Sequence, residues 1–171
     1  MQAVLVRERK ATPLDDPIDD AALFTRLYPS LRAFAAVTGS ADVEPDDLVQ
    51  EAVARTLRNH HLVDLDDAGA YLRRAIVNLA ANRRRSLARF RLAFARLDRV
   101  DEAQSPEYAS DMADLLRLEP EARALLYMIE VEGHSYAEAG TVLGISEEAA
   151  RARAIRARRR LRAEVEGARG E

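Results

Sequence analysis

Between Gly144 and Arg162 the chain carries seven arginines and two glutamates, a set of groups suited to gripping anions rather than to moving protons. A guanidinium presents a planar fork of donors that matches two phosphate oxygens or the major-groove edge of guanine, and it keeps its charge at physiological pH. At 100° per residue, Arg151, Ala152, Ile155, Arg156, Arg159 and Arg162 fall on one side of a helix. Ala150, Ala154, Ala157, Leu161 and Val165 form a narrow apolar stripe roughly opposite. The pattern predicts a helix that packs on one face and meets a polyanion with the other. A solvated, salt-bridged surface helix is the alternative meaning of such a charge run.

A second group lies upstream. Asn78 and Asn82, spaced i, i+4, project side by side among Arg73, Arg74, Val77, Ala81, Arg84 and Arg85. Amides can read base edges and arginines can neutralise phosphates; the same residues also suit a plain solvated helix. A third group, Asp46, Asp47, Gln50 and Glu51, sits at the start of another helix. There carboxylates either complement the helix dipole or face a basic protein surface.

The elements that must position these groups are helical. Ser135 and Glu138 form an S-x-x-E capping box, Gly144 supplies a helix-ending turn, and Ser146 is a good N-cap for the next helix. Two short helices joined this way make a helix-turn-helix, with Gly140 and Ala150 small enough for a close crossing. Upstream, Asp19 or Asp20 can start a helix carrying Leu23, Phe24, Leu27, Leu31 and Phe34, adjusted near Pro29 and ended around Gly39. Pro45 opens a second to about Asn59, with Leu48, Val49, Ala52, Val53, Thr56 and Leu57 inward. Asp66 or Asp67 starts a long third with Leu72, Ala75, Ile76 and Leu79 inward, and Pro120 opens another that stops at Gly133. No segment shows strand alternation. The fold class expected is all-α, two small helical domains joined by an acidic linker, with the C-terminal one a helix-turn-helix. The expected divisions are a flexible segment 1–19, a helical domain 20–97, a linker 98–111 and a helix-turn-helix domain 112–166.

Composition narrows the function. With 171 residues, 48% apolar and 32% charged, the chain has the make-up of a water-soluble protein, and no apolar run reaches the length of a membrane span. The N-terminus lacks a signal-peptide core, so a cytoplasmic location is expected. Zero cysteines and three histidines, His60, His61 and His134, leave no basis for a metal site, and no cofactor is expected. No nucleophile–base pattern or phosphate-cradling glycine loop appears, so the chain does not read as an enzyme. Its net charge of −3 conceals segregation. Residues 39–67 hold eight acidic and two basic groups, residues 71–99 one and nine, and residues 100–132 nine and two. Local field, not net charge, decides where a polyanion docks.

The order of parts, DDLVQEAVART, YLRRAIVNLAANRRRS, an acidic linker, then EPEARALLYMIEVEGHSYAEAGTVLGISEEAARARAIRARRRL, resembles that of bacterial RNA polymerase sigma factors of the extracytoplasmic-function group, over roughly residues 21–165. The resemblance implies binding to core RNA polymerase and promoter DNA, promoter opening, and an anti-sigma protein as a further partner. It assigns polymerase contact to Asp47, Leu48, Gln50 and Glu51. It assigns the minus-ten element to Asn78 and Asn82, with Arg74, Arg83, Arg84 and Arg85 on the backbone, and the His60–Asp67 loop to a pocket for a flipped base. Upstream-element contact falls to Arg151, Ala152, Ile155, Arg156 and Arg159. The chain departs from the usual pattern at Tyr71, Asn82, Ala139-Gly140 and Ala149-Ala150, which predicts a slightly looser C-terminal core. Two other functions fit the same parts: a sigma-like adaptor acting mainly on an anti-sigma protein, and a two-domain helix-turn-helix repressor.

Overall fold

The computed structural model describes residues 19–95 and 115–168, with side chains for 19–90 and 115–163. Residues 1–18 and the expected linker 98–111, together with Met112, lie outside the described residues. Those described form helices joined by turns, with no strand among them.

Helix α1 spans Asp20–Thr38 and runs unbroken through Pro29. Asp19, not Asp20, is its cap, accepting the Ala22 N–H at 2.7 Å. At its end a Cβ on Gly39 would lie 2.8 Å from Leu48 Cδ1 and 2.9 Å from the Ala35 carbonyl, so only glycine allows α2 this close. Helix α2 spans Pro45–Leu57, with Pro45 in its first turn, and ends two residues earlier than expected. Leu48, Val49, Ala52 and Thr56 are buried, whereas Leu57, expected inside, is an exposed large apolar residue. A short 3-10 turn, Leu62–Asp64, precedes α3, Ala68–Ala95.

In the C-terminal unit, α4 spans Pro120–Glu130, α5 Tyr136–Leu143 and α6 Glu147–Ala168. The expected capping box is present: the Ser135 hydroxyl accepts the Glu138 N–H at 3.2 Å and Glu138 Oε2 accepts the Ser135 N–H at 2.7 Å. Those hydrogen bonds hold the Glu138 carboxyl below the ordinary glutamate range. Gly144 ends α5 at φ 69°, a left-handed conformation that costs a Cβ-bearing residue energy. Ser146 caps α6 through Ala149. Gly140 makes room for the turn rather than for α6 itself, since a Cβ there would lie 2.8 Å from the Ile145 carbonyl.

The two units share one continuous core. Leu31, Phe34, Leu72 and Ile76 belong to the same buried cluster as Leu125, Met128, Ala139 and Ala154. Phe34 meets the Tyr127 ring edge-on across the junction. This explains a correction on α3: Val77 and Ala81, expected to face outward, are both buried. Helix α3 packs on α1 and α2 on one side and on α4 and α5 on another, so two of its faces are inside.

One cation closes the junction. Arg123 of α4 is only 2% exposed. Its Nη1 donates to the Leu116 and Leu118 carbonyls, both at 3.0 Å, and its Nη2 donates across to the Thr38 and Gly39 carbonyls, both at 2.6 Å. Burial first, and then the nearby Arg84, push its guanidinium down to about 10, still far enough above neutrality for it to stay charged. Two further ties cross the junction. Arg73 Nη2 donates to Glu132 Oε1 at 2.6 Å, and Arg84 Nη1 donates to the Leu118 carbonyl at 2.6 Å.

Within the C-terminal unit Arg158 ties α6 to both neighbours. It donates to Glu130 Oε1 at 2.8 and 2.5 Å and to the Tyr136 hydroxyl at 3.1 Å.

Replacing Arg123 with alanine leaves four carbonyls unsatisfied and a void at the junction, and is expected to cost about 3 kcal/mol in chemical denaturation of the full chain. Arg123→Lys is expected to recover little of this, because one ammonium cannot reach carbonyls on two units as a planar fork does. Arg158→Ala, at a partly exposed site, is expected to cost about 1 kcal/mol after solvent screening. A loss equal to that of Arg123→Ala would contradict the ranking.

Candidate nucleic-acid interface

Helix α3 exposes one long stripe. Tyr71, Arg74, Asn78, Asn82, Arg85 and Arg89 recur at intervals of three and four, and all are exposed. The side chains inward of it fix its orientation: Leu72, Ile76, Val77, Leu79 and Ala80 are all buried, as α3 packs on α1 and α2 and on α4 and α5. Asn78 projects with no hydrogen-bond partner among the described residues. Asn82 Oδ1 accepts Arg85 Nη2 at 2.6 Å, which holds an amide and a guanidinium together on the surface.

The other residues expected on the minus-ten element are spoken for within the fold. Arg83 donates to Glu51, and Arg84 reaches Leu118 and lies 3.1 Å from Glu119. Arg74 is exposed but its guanidinium leans on the helix-turn-helix turn, 2.6 Å from where a Gly144 Cβ would be. Arg83 and Arg84 are half-buried in these contacts, and ion pairs with this much solvent access contribute little. Arg73, paired with Glu132 and lying over the Phe34 ring, belongs to the junction.

At the upper end of the stripe Tyr71 is 42% exposed. The His60 ring meets it edge-on at 5.9 Å. An exposed ring beside a loop offers a stacking surface for an unstacked base. The loop is held down by Leu62, fully buried, and by Asp67, whose carboxylate accepts the Ala70 N–H at 2.8 Å and so starts α3. In the sequence Tyr71 stands out only as a departure from the family pattern. Its exposure beside His60 needs the loop and the helix together.

Helix α6 presents the second face as the helical wheel requires. Ala150 and Ala154 are fully buried, while Arg151, Ile155, Arg156 and Arg159 are exposed and Ala152 is half-buried beside them. Ile155, at 57% exposure, is a large apolar side chain left in water between arginines. It suits the methyl group of thymine. Arg151 pairs with Glu147 at 2.8 Å and lies over the Tyr136 ring at 5.4 Å, which restrains its direction. Arg156 also borders a cavity of about 420 Å³ with Leu118, Glu121, Arg153 and Arg160.

On α2, Asp47 and Gln50 are exposed, whereas Leu48, expected at a protein contact, is 0% exposed and packs under Gly39. Apolar burial takes precedence at that position, so Leu48 supports the surface without being part of it. Burial pushes the Glu51 carboxyl up, but hydrogen bonds from Arg83 and Arg55 outweigh it and hold the group below the ordinary glutamate range. Asp46 is likewise engaged, by Tyr28 Oη at 2.7 Å and Arg32 Nε at 2.9 Å.

Comparison with known proteins agrees with this architecture. Residues 23–90 match the sigma-70 region 2 family and residues 115–161 the sigma-70 region 4 family. The ECF RNA polymerase sigma factor EcfG of Rhodopseudomonas palustris is 31% identical over 162 residues, covering 88% of this chain and 86% of its own length. The ECF RNA polymerase sigma factor SigM of Mycobacterium tuberculosis is 29% identical over 145 residues, 81% of this chain and 73% of that protein. Among solved structures, the sigma factor RpoE in complex with the anti-sigma factor NepR from Bartonella quintana superposes with a TM-score of 0.64 at 22% identity, over 85% of this chain and 96% of that one. The extracytoplasmic function sigma factor SigJ of M. tuberculosis does so with a TM-score of 0.55 at 23% identity, over 82% of this chain and 52% of that one. The two structures share the fold. With both sigma-70 regions in order along one chain, and a relative of this identity matched over most of both lengths, the chain belongs to the ECF family of RNA polymerase sigma factors.

Proposed function

We propose that the two exposed basic faces divide promoter recognition between them. Arg151, Ala152, Ile155, Arg156 and Arg159 of α6 read the upstream element as duplex in the major groove. Asn78 and Asn82 of α3 capture unstacked bases of the minus-ten element, with Arg74, Arg83, Arg84 and Arg85 on its backbone. Asp47, Gln50 and Glu51 of α2 face a basic surface of core RNA polymerase, and Leu48 buttresses them from the core. The polymerase performs the chemistry, and this chain supplies recognition and strand capture. The observation that carries the reading is the α3 stripe, where an amide without a partner among the described residues stands two turns from an exposed aromatic ring. Unpairing a base costs a few kcal/mol, and stacking plus amide hydrogen bonds are what offset it.

In the arrangement seen here the reading faces adjoin, since Arg74 of α3 touches the turn that precedes α6. The nineteen residues between Ala95 and Leu115, which span at most about 65 Å when extended, give the units the reach to part and engage separate stretches of DNA. An anti-sigma protein completes the set of partners, supported by the like-folded RpoE solved with NepR.

In reconstituted transcription, Arg151→Ala and Arg156→Ala are each expected to weaken upstream-element binding by about fivefold or more and to lower the salt slope by about one. Asn78→Ala is expected to leave that binding intact and to cut open-complex formation at least about tenfold. Normal opening by Asn78→Ala at low salt would remove Asn78 from the mechanism.

A further inference from the structure

The loop joining α2 to α3 is tied to the fold from a distant place. Asp19 caps α1, which frees Asp20 from that task. Asp20 Oδ2 lies 2.9 Å from His61 Nδ1, and its Oδ1 accepts the Val63 N–H at 3.1 Å. The two partners flank Leu62, whose side chain is fully buried. Hydrogen bonds inside the turn, Asp64 N–H to His61 and Leu65 N–H to Leu62, already shape it locally. What the carboxylate adds is its orientation relative to the body of the domain.

We propose that Asp20 is a positioning residue for the minus-ten pocket: by holding the His61 ring and the Val63 amide, it sets where the neighbouring His60 stands beside the exposed Tyr71 ring and therefore which extruded base is accepted. The inference rests on the promoter-opening reading above. Leu62 and the partly buried Leu65 seat the turn on the core, and Asp67 fixes its far end. The two hydrogen bonds to Asp20, one on either side of Leu62, add a polar tie from α1 to the edge that carries His60 and Val63. His60 and Val63, both exposed, face the solvent side where a base would enter. The hydrogen bond from His61 holds the Asp20 carboxyl below its ordinary range against partial burial, helped by the Val63 and Leu62 amides. Asp20 and then Asp64 hold His61 above its own range. The pair therefore favours its own charged form.

The test uses the full chain with core polymerase on promoters randomised across the minus-ten element, scoring open complexes by sequence. Asp20→Ala is expected to flatten the preference at a single base position by at least about fivefold, the scale on which one wrong base is penalised. Upstream duplex affinity and the unfolding midpoint are expected to stay at wild-type values. Asp20→Asn keeps an acceptor oxygen for the Val63 N–H and turns its NH2 toward His61 Nδ1, which accepts when the ring is neutral, and is expected at neutral pH to hold the preference within about twofold. Should Asp20→Ala fold poorly, His61→Ala, which removes only an exposed ring, carries the same expectation in weaker form. A preference indifferent to both variants, or one lost equally at every position, overturns the assignment. If the wild-type chain opens no promoter, the broader reading fails first. If it opens them with a preference that ignores Asp20, only this inference does.

Discussion

The register of the two halves of this molecule depends above all on one buried guanidinium, Arg123, which has no carboxylate partner among the described residues. Burying a charge costs several kcal/mol unless hydrogen bonds replace its water, and the two terminal nitrogens of Arg123 meet that requirement with four carbonyls drawn from two units, its Nε being buried without a partner among the described residues. Two of them, at Thr38 and Gly39, end α1, where the helix dipole is negative and carbonyls lack intrahelical partners. The same contact therefore satisfies orphan acceptors on one unit and a desolvated cation on the other. The Phe34–Tyr127 ring contact and the Arg73–Glu132 pair cross the same junction, and the apolar core is continuous through it.

Charge is used in this chain at two depths. Arg73 and Arg123 hold the junction from inside, where their partners have little solvent to replace them. Arg83, Arg85 and Arg151 make exposed or half-exposed pairs with neighbours, worth little in water. Those pairs keep long side chains ordered near the surface yet can be exchanged for phosphate at small cost. The segregation of acidic and basic segments along the sequence serves both ends: α2 supplies Glu51 to steady Arg83, while the outward side of α3 retains a surplus of positive charge. Arg84 lies between the two depths, half-buried and engaged by Leu118 and Glu119 of the C-terminal unit.

Much of the fold could be read directly from the residues. The capping box at Ser135 and Glu138, the left-handed Gly144, the cap at Ser146 and the alanine stripe of α6 are local devices, each specified within one or two helical turns, and each appears where its spacing put it. The outward set on α6 followed from the same periodicity. The residues that needed correction on α3 share a cause. A helical wheel assumes one buried face and turns Val77 and Ala81 outward, but α3 has two buried faces. Leu48 belongs to a surface motif by resemblance, yet its apolar side chain goes to the core beneath that surface. Leu57 departs in the opposite sense: α2 ends there, and the side chain is left in water.

The sequence alone determined helix positions, caps, charge segregation and family, since these rest on interactions between residues a few positions apart or on the order of motifs. Tertiary structure decided which arginines are structural and which are available. Arg73 and Arg74 are adjacent and chemically identical, yet one is paired with Glu132, 59 residues away, and the other is exposed. Arg123 looks like any helical arginine until α1 ends against it, and Asp20 like a helix cap until the loop before α3 folds back onto it. Burial and long-range hydrogen bonding set the role of a charged side chain, and neither exists before distant segments are brought together.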